Sequence, residues 1–225
     1  MAIIEPARID IIHSNRIKKN SASLRLWHWA NTIVFSGLLI TVLINSTITN
    51  THEAATVIKT EIQKSGVTLT ADQARSAAHA LNDNVWDIHT YFGYCLAGLL
   101  LFRLLLEFFQ LADQKFIRRL KSAYKQFVII KKNREEARHE LAVKIIYAAF
   151  YIVLIVQVIT GLFLAFEDAM APFKSIRPSV KSVHNFCMYL FLAFIVVHLA
   201  GVFLAERKNS QGIVSDMING GTDNL

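Results

Sequence analysis

Val183-His184-Asn185-Phe186-Cys187-Met188-Tyr189-Leu190 opens a stretch that runs on through Phe191-Leu192-Ala193-Phe194-Ile195-Val196-Val197-His198 and ends at Glu206. It is apolar enough and long enough to cross a bilayer, which takes about 20 residues. Two histidines sit inside it, fourteen positions apart. That spacing is about 3.9 helical turns, so both imidazoles leave one face of a helix, roughly 21 Å apart along its axis. One lies near one membrane surface and one near the other. Ionisable side chains are costly in a membrane helix, so each is a functional candidate. The plainer reading is interfacial histidines bonded to neighbouring helices. It loses ground because other helices carry histidines at matching depths.

Of the 225 residues, 53% are hydrophobic and 18% charged, against about 25% charged in a typical soluble domain. The apolar residues gather in four blocks. One membrane domain over residues 1–225 is therefore expected: all-α, an integral membrane four-helix bundle. The spans fall at residues 24–45, 85–109, 141–166 and 182–206. Residues 46–84 form an outer loop and 111–139 a basic cytoplasmic loop. Residues 1–23 are a polar arm without the pattern of a secretory signal. Cys95 and Cys187 fall in apolar blocks and form neither a Cys-x-x-Cys-His attachment nor a zinc pattern, which excludes covalent c-type haem. They read as small core fillers.

The net charge of +7 raises the question of nucleic acid. Its distribution answers otherwise. Seventeen Lys and Arg residues fall in the arm, the 111–144 region and the tail, against six in the two loops on the other side. The positive-inside rule places both termini and the 111–139 loop in the cytoplasm, which an even number of spans allows. The expected partner is the lipid bilayer, with no nucleic acid. The 111–139 loop reads as a helix lying on anionic lipid, with docking of a cytoplasmic partner as the alternative. In the outer loop, Thr70-Ala71-Asp72-Gln73 matches a capping box and predicts a short helix from Ala71 to about Leu81. Asn82-Asp83-Asn84 is expected to break it. His52 and His79 read as solvated.

Depth sorts the remaining histidines. His28 opens the first span, at the cytoplasmic face, and His89 opens the second, at the outer face. The fourth span enters from outside, so His184 is outer and His198 cytoplasmic. Two pairs result, His28 with His198 and His89 with His184, each joining two helices at one depth. Bis-imidazole haem ligation requires this arrangement: two neutral nitrogens on opposite faces of a flat macrocycle. Two haem b groups held this way have no open iron position, so the chemistry is electron transfer and no residue is assigned a catalytic role.

Arg103 follows His89 by fourteen residues and shares the depth of the cytoplasmic pair. It reads either as the partner of a haem propionate or as a snorkelling side chain. Arg25, one turn before His28, is a second propionate candidate or a plain positive flank. Gly37, Gly93, Gly161 and Gly201 are open to a porphyrin face or to close helix packing. Gln157, Thr160 and Gly161 are the polar or small residues of the third span, which has no histidine.

Several stretches resemble a known family. Arg25-Leu26-Trp27-His28-Trp29 is similar to the opening of the b-type cytochrome subunits of nickel–iron hydrogenases. So are His89 with Gly93 and Arg103, and His184 to His198 followed by Glu206 and Ile213-Val214-Ser215-Asp216-Met217-Ile218-Asn219-Gly220. These belong to the wider bacterial cytochrome b561-like group, which includes membrane subunits of thiosulfate reductase and formate dehydrogenase and stand-alone dihaem proteins. The likeness covers the first, second and fourth helices and the tail. In the third it is confined to Thr160-Gly161. It implies a four-helix dihaem b fold in the bacterial inner membrane, passing electrons in a respiratory chain between a partner protein and the quinone pool. The four histidines match the family's ligand positions. The outer and cytoplasmic loops depart from the hydrogenase subunits.

Three functions compete. The first is a subunit exchanging electrons between quinone and a partner oxidoreductase or cytochrome at the outer face. The second is a stand-alone quinone-reducing oxidoreductase acting on a small reductant such as superoxide, steered by Lys174, Arg177 and Lys181. The third is a metal or proton transporter. It calls for carboxylate, Cys or Met ligands beside the histidines in mid-membrane, which the sequence lacks.

Overall fold

A computed structural model of the chain describes residues 16–17, 22–109, 124–125, 128, 134–208, 212–221 and 223–224. In chain order its elements are β1 (Arg16–Ile17), α1 (Ala22–Thr47), α2 (Thr51–Lys64), α3 (Ala71–Phe109) and α4 (Arg134–Ala165). A 3-10 turn at Ala171–Ile176 then leads to α5 (Arg177–Lys208), α6 (Ile213–Asn219) and β2 (Asp223–Asn224). The protein is all-α and integral to the membrane, with four helices long and apolar enough to span it: α1, α3, α4 and α5. Exposed Leu26, Ile33, Ile40, Tyr91, Leu101, Ile152, Ile159, Val196, Phe203 and similar residues coat these helices. Such a coat is stable in hydrocarbon and not in water.

The contacts divide the chain into two compact units. One is Ala30–Gly98, and the other holds the described residues before and after it.

In the first unit, Asn31, Thr41 and Asn45 of α1 are buried beside Val34, and Thr49 is buried in the turn that follows. Lipid cannot hydrogen-bond them, so neighbouring protein must. Thr49 Oγ1 donates to Asn45 Oδ1 at 2.5 Å. The Asn82 amide donates to the same oxygen at 3.1 Å and to the Thr49 carbonyl at 3.2 Å. This corrects the expected break at Asn82-Asp83-Asn84. An asparagine disfavours a helix interior when its side chain competes for local backbone groups. Here the side chain is engaged by α1, so α3 runs unbroken from Ala71 rather than starting at Val85.

The capping box at the start of α3 forms as expected. Thr70 N–H donates to Gln73 Oε1 at 2.9 Å, and Gln73 N–H donates to Thr70 Oγ1 at 3.2 Å. α3 is 39 residues long, about 58 Å at 1.5 Å per residue, nearly twice the ~30 Å hydrocarbon thickness. Its first turns therefore stand outside the membrane. Helix α2, which the sequence reading left as loop, packs on that extension. Ala54 and Ala55 meet Ala74 and Ala78, with Ile58 alongside. Alanines one turn apart let two helices approach closely.

In the second unit α4 packs against α5. Phe150 lies 4.6 Å from Phe194 and 5.7 Å from Phe191, centroid to centroid. Leu154, Cys187 and Phe191 are buried. Both cysteines are free thiols, with Cys187 buried as a core filler and Cys95 exposed. α4 starts at Arg134, before the expected residue 141, and α5 at Arg177, before 182. Most of the 111–139 loop lies outside the described residues.

The tail returns to the start of the chain. Both Glu206 oxygens accept backbone N–H groups at the head of α6, from Gly212 at 2.8 Å and Ile213 at 3.0 Å. A carboxylate there satisfies orphan donors and complements the helix dipole. At the other end Arg25 donates to the Ile218 carbonyl and Trp29 Nε1–H to the Met217 carbonyl at 3.1 Å. β1 and β2 pair antiparallel beyond it. The start of α1 and the described residues of the tail thus lie together.

Two outcomes follow from these contacts. Asn82→Ala is expected to cost about 1 kcal/mol through the lost bonds, read as a lower unfolding midpoint in detergent. Glu206→Ala is expected to release α6 and speed tryptic cleavage after Arg207 or Lys208, with the spans uncut.

Candidate functional site

All four histidines singled out by depth are half-buried on their spans, whereas His52 and His79 are exposed. His28, near the start of α1, and His198, on α5, have ring centroids 6.2 Å apart and planes inclined by 56°. Imidazoles bonded from opposite sides to one metal, each at about 2 Å, have centroids about 6 Å apart once the reach of each ring is added. Their separation therefore fits a pair of axial ligands on one iron. Aromatic side chains hold both rings. Trp29 meets His28 edge-on at 5.4 Å, and Phe194 lies parallel to His198 at 5.9 Å.

His184, on α5, lies over α4. A Cβ added at Gly161 would lie 3.1 Å from His184 Cε1, so the ring packs closely against that glycine. Thr160 Oγ1 is 3.0 Å from His184 Nδ1, and the Gln157 amide nitrogen is 3.1 Å from Nε2. The amide donates, so Nε2 offers the lone pair. That nitrogen is the one suited to a metal, and the Gln157 side chain, unbranched and rotatable, is what lies against it. Its own Oε1 is buried with no hydrogen-bond partner among the described residues.

His89, on α3, repeats the pattern within its own unit. Thr41 Oγ1 of α1 is 2.9 Å from His89 Nδ1, and Trp86 meets the ring edge-on at 5.3 Å. Gly37 admits a neighbour rather than a ligand, because an added Cβ would sit 2.5 Å from the Phe92 ring. At Gly93 and Gly201 an added Cβ would meet nothing within 4 Å.

The arginines take different places. Arg103 Nε–H donates to Tyr151 Oη at 3.1 Å. The Tyr151 ring lies 6.0 Å from Trp27, the residue beside His28. Arg103 thus lies, through Tyr151, next to the residue that precedes His28. Arg25 is committed to the carbonyl end of α6. At the turn between α4 and α5, Arg177 pairs with Glu167 and donates to the Leu164 carbonyl at 3.1 Å. Among the described residues no three His, Cys, Asp or Glu side chains gather to hold a bare metal ion.

Sequence reasoning assigned the histidines but not the hydroxyl at Thr41, and saw Thr160 and Gln157 only as polar residues of a span without a ligand. The available signal was a hydroxyl inside an apolar helix at the depth of a histidine.

Two comparisons, with curated proteins and with solved structures, return no match. A third, with protein families, finds the model described as prokaryotic cytochrome b561 over residues 20–220, from the start of α1 through α6. That range takes in all four spans, their histidines and the clamped tail helix. The chain therefore belongs to the prokaryotic cytochrome b561 family, the membrane b-type cytochromes of electron transfer.

Proposed function

We propose that the protein is a dihaem b-type cytochrome of the bacterial inner membrane that carries electrons between a partner oxidoreductase and the quinone pool. The observation that carries this reading is the 6.2 Å approach of His28 and His198. In this assignment His28 and His198 hold the cytoplasmic haem b. His89 and His184, grouped by depth, hold the outer one, and Gln157 turns away from His184 Nε2. A haem b with two axial imidazoles supplies one-electron transfer and has no iron position open to oxygen. The protein's part is to fix the imidazoles, exclude water and neutralise the propionates. Arg103, at the depth of the first pair, suits a propionate through charge-assisted hydrogen bonds. Arg25 suits that role less, because it holds α6. Both termini lie in the cytoplasm on this reading, and the partner docks at the outer face.

The stand-alone reading, a quinone reductase fed by a small anion such as superoxide, needs unneutralised basic charge at the outer mouth. Arg177 is neutralised by Glu167, leaving Lys174 and Lys181. The subunit reading is therefore preferred.

Reduced-minus-oxidised visible spectra of the purified chain are expected to show low-spin b-type bands, with two haems per polypeptide. His198→Ala is expected to lower the count to one. A colourless preparation made with ample haem supply sinks the proposal, and two haems retained in His198→Ala sink the pairing. Steady-state quinone reduction by the isolated chain with superoxide would select the stand-alone enzyme instead.

A further inference from the structure

Thr41 and Thr160 stand in the same relation to their histidines, although they belong to different helices and serve different units. Each hydroxyl is bonded first to its own helix. Thr41 Oγ1 donates to the Leu38 carbonyl at 2.8 Å. Thr160 Oγ1 lies 2.7 Å from the Val156 carbonyl and 3.1 Å from that of Gln157. A carbonyl only accepts, and a threonine hydroxyl has one proton. That proton is committed to the helix, so toward the imidazole the oxygen can only accept. At 2.9 Å from His89 Nδ1 and 3.0 Å from His184 Nδ1, each oxygen therefore calls for a proton on Nδ1. A neutral imidazole protonated at Nδ1 carries its lone pair on Nε2. The Gln157 amide, donating to His184 Nε2 at 3.1 Å, agrees independently with that tautomer.

We infer that Thr41 and Thr160 are positioning residues for the haem-ligating histidines. Each locks its ring in the Nδ1–H tautomer, presents Nε2 to the iron and makes the imidazole a stronger donor. The inference rests on the dihaem reading and deepens it. A ligating histidine that donates its second N–H to an acceptor is oriented and made more basic by it. A more basic axial ligand favours ferric over ferrous iron and lowers the haem's potential. Neither threonine touches the iron. Their effect passes through the ring.

Redox titration of the purified, haem-loaded full chain, followed in the visible bands, tests this. The outer haem is identified as the one lost in His89→Ala and in His184→Ala, and the other as the one lost in His198→Ala. Thr41→Val keeps the shape of the side chain and removes the acceptor. It is expected to raise the potential of the haem that His89→Ala removes. Thr160→Val is expected to do the same for the haem that His184→Ala removes. Thr41→Ser and Thr160→Ser restore an oxygen that can donate to the helix and accept from Nδ1, and are expected to return the potential to that of the unsubstituted chain. The haem assigned to His28 and His198 should not move in any of these variants. Unmoved potentials in the valine variants, serine variants that behave like valine, or an equal shift in both haems would each overturn the role. If the unsubstituted chain carries no haem, the functional reading falls with it. If it carries two and valine changes nothing, the tautomer lock alone falls.

Discussion

Inside lipid a polar side chain has no water to return to, so each must find its partner within the protein. Most of what is specific in this structure follows from that constraint. The coat of the spans is interchangeable aliphatic and aromatic surface. The inward positions are not. Asn45 Oδ1 accepts from both Thr49 and Asn82, and Thr41 and Thr160 each engage a helix carbonyl and an imidazole at once. A network of this kind fixes rotation about the helix axis more tightly than apolar packing does. An apolar face turned by one residue still meets lipid or protein favourably, whereas a displaced asparagine leaves a buried dipole unpaired.

The same constraint explains how far the sequence could be read. Depth along a helix is a count of residues at a fixed rise. The fourteen-residue spacings of His184 from His198, and of His89 from Arg103, therefore placed those side chains at their levels before any contact was known. The four spans and the exposure of His52 and His79 followed from composition and polarity. Rotation was much less legible. Nothing in the periodicity says that α4 takes the ring of His184 against Gly161, Thr160 and Gln157, since that depends on how neighbouring helices are turned. Asn82 misled for a related reason. Its local preference is for a turn, and the bonds that override it come from residues 33 and 37 positions away in the chain. α2 was missed because its only buried contacts are alanines, Ala54 and Ala55, which carry little pattern.

The tail illustrates a different division of labour. Glu206, Ile213 to Gly220, Arg25 and Trp29 are a mix of charged, polar and apolar residues that are far apart in the chain. The structure joins them into one clamp. A carboxylate holds one end of α6, and a guanidinium and an indole hold the other. A helix of seven residues is far too short to persist alone in water. Its persistence depends on those end bonds, and they set α6 across the entrance to α1, three residues before His28. Arg25 therefore has a structural occupation that its position beside a candidate cofactor site did not suggest.

The histidines also differ in the neighbours that touch them. Trp29 meets His28 edge-on and Phe194 lies parallel to His198. His89 and His184 each have a threonine oxygen at Nδ1. A ring donating to an oxygen is oriented and also made more electron-rich. His89 and His184 are thus set by residues that a list of histidines overlooks. α4 carries none of the four histidines singled out by depth, and its part is to orient one of them through Thr160. Thr160-Gly161, the short match the third helix shares with the related cytochrome subunits, is the pair that receives the ring of His184.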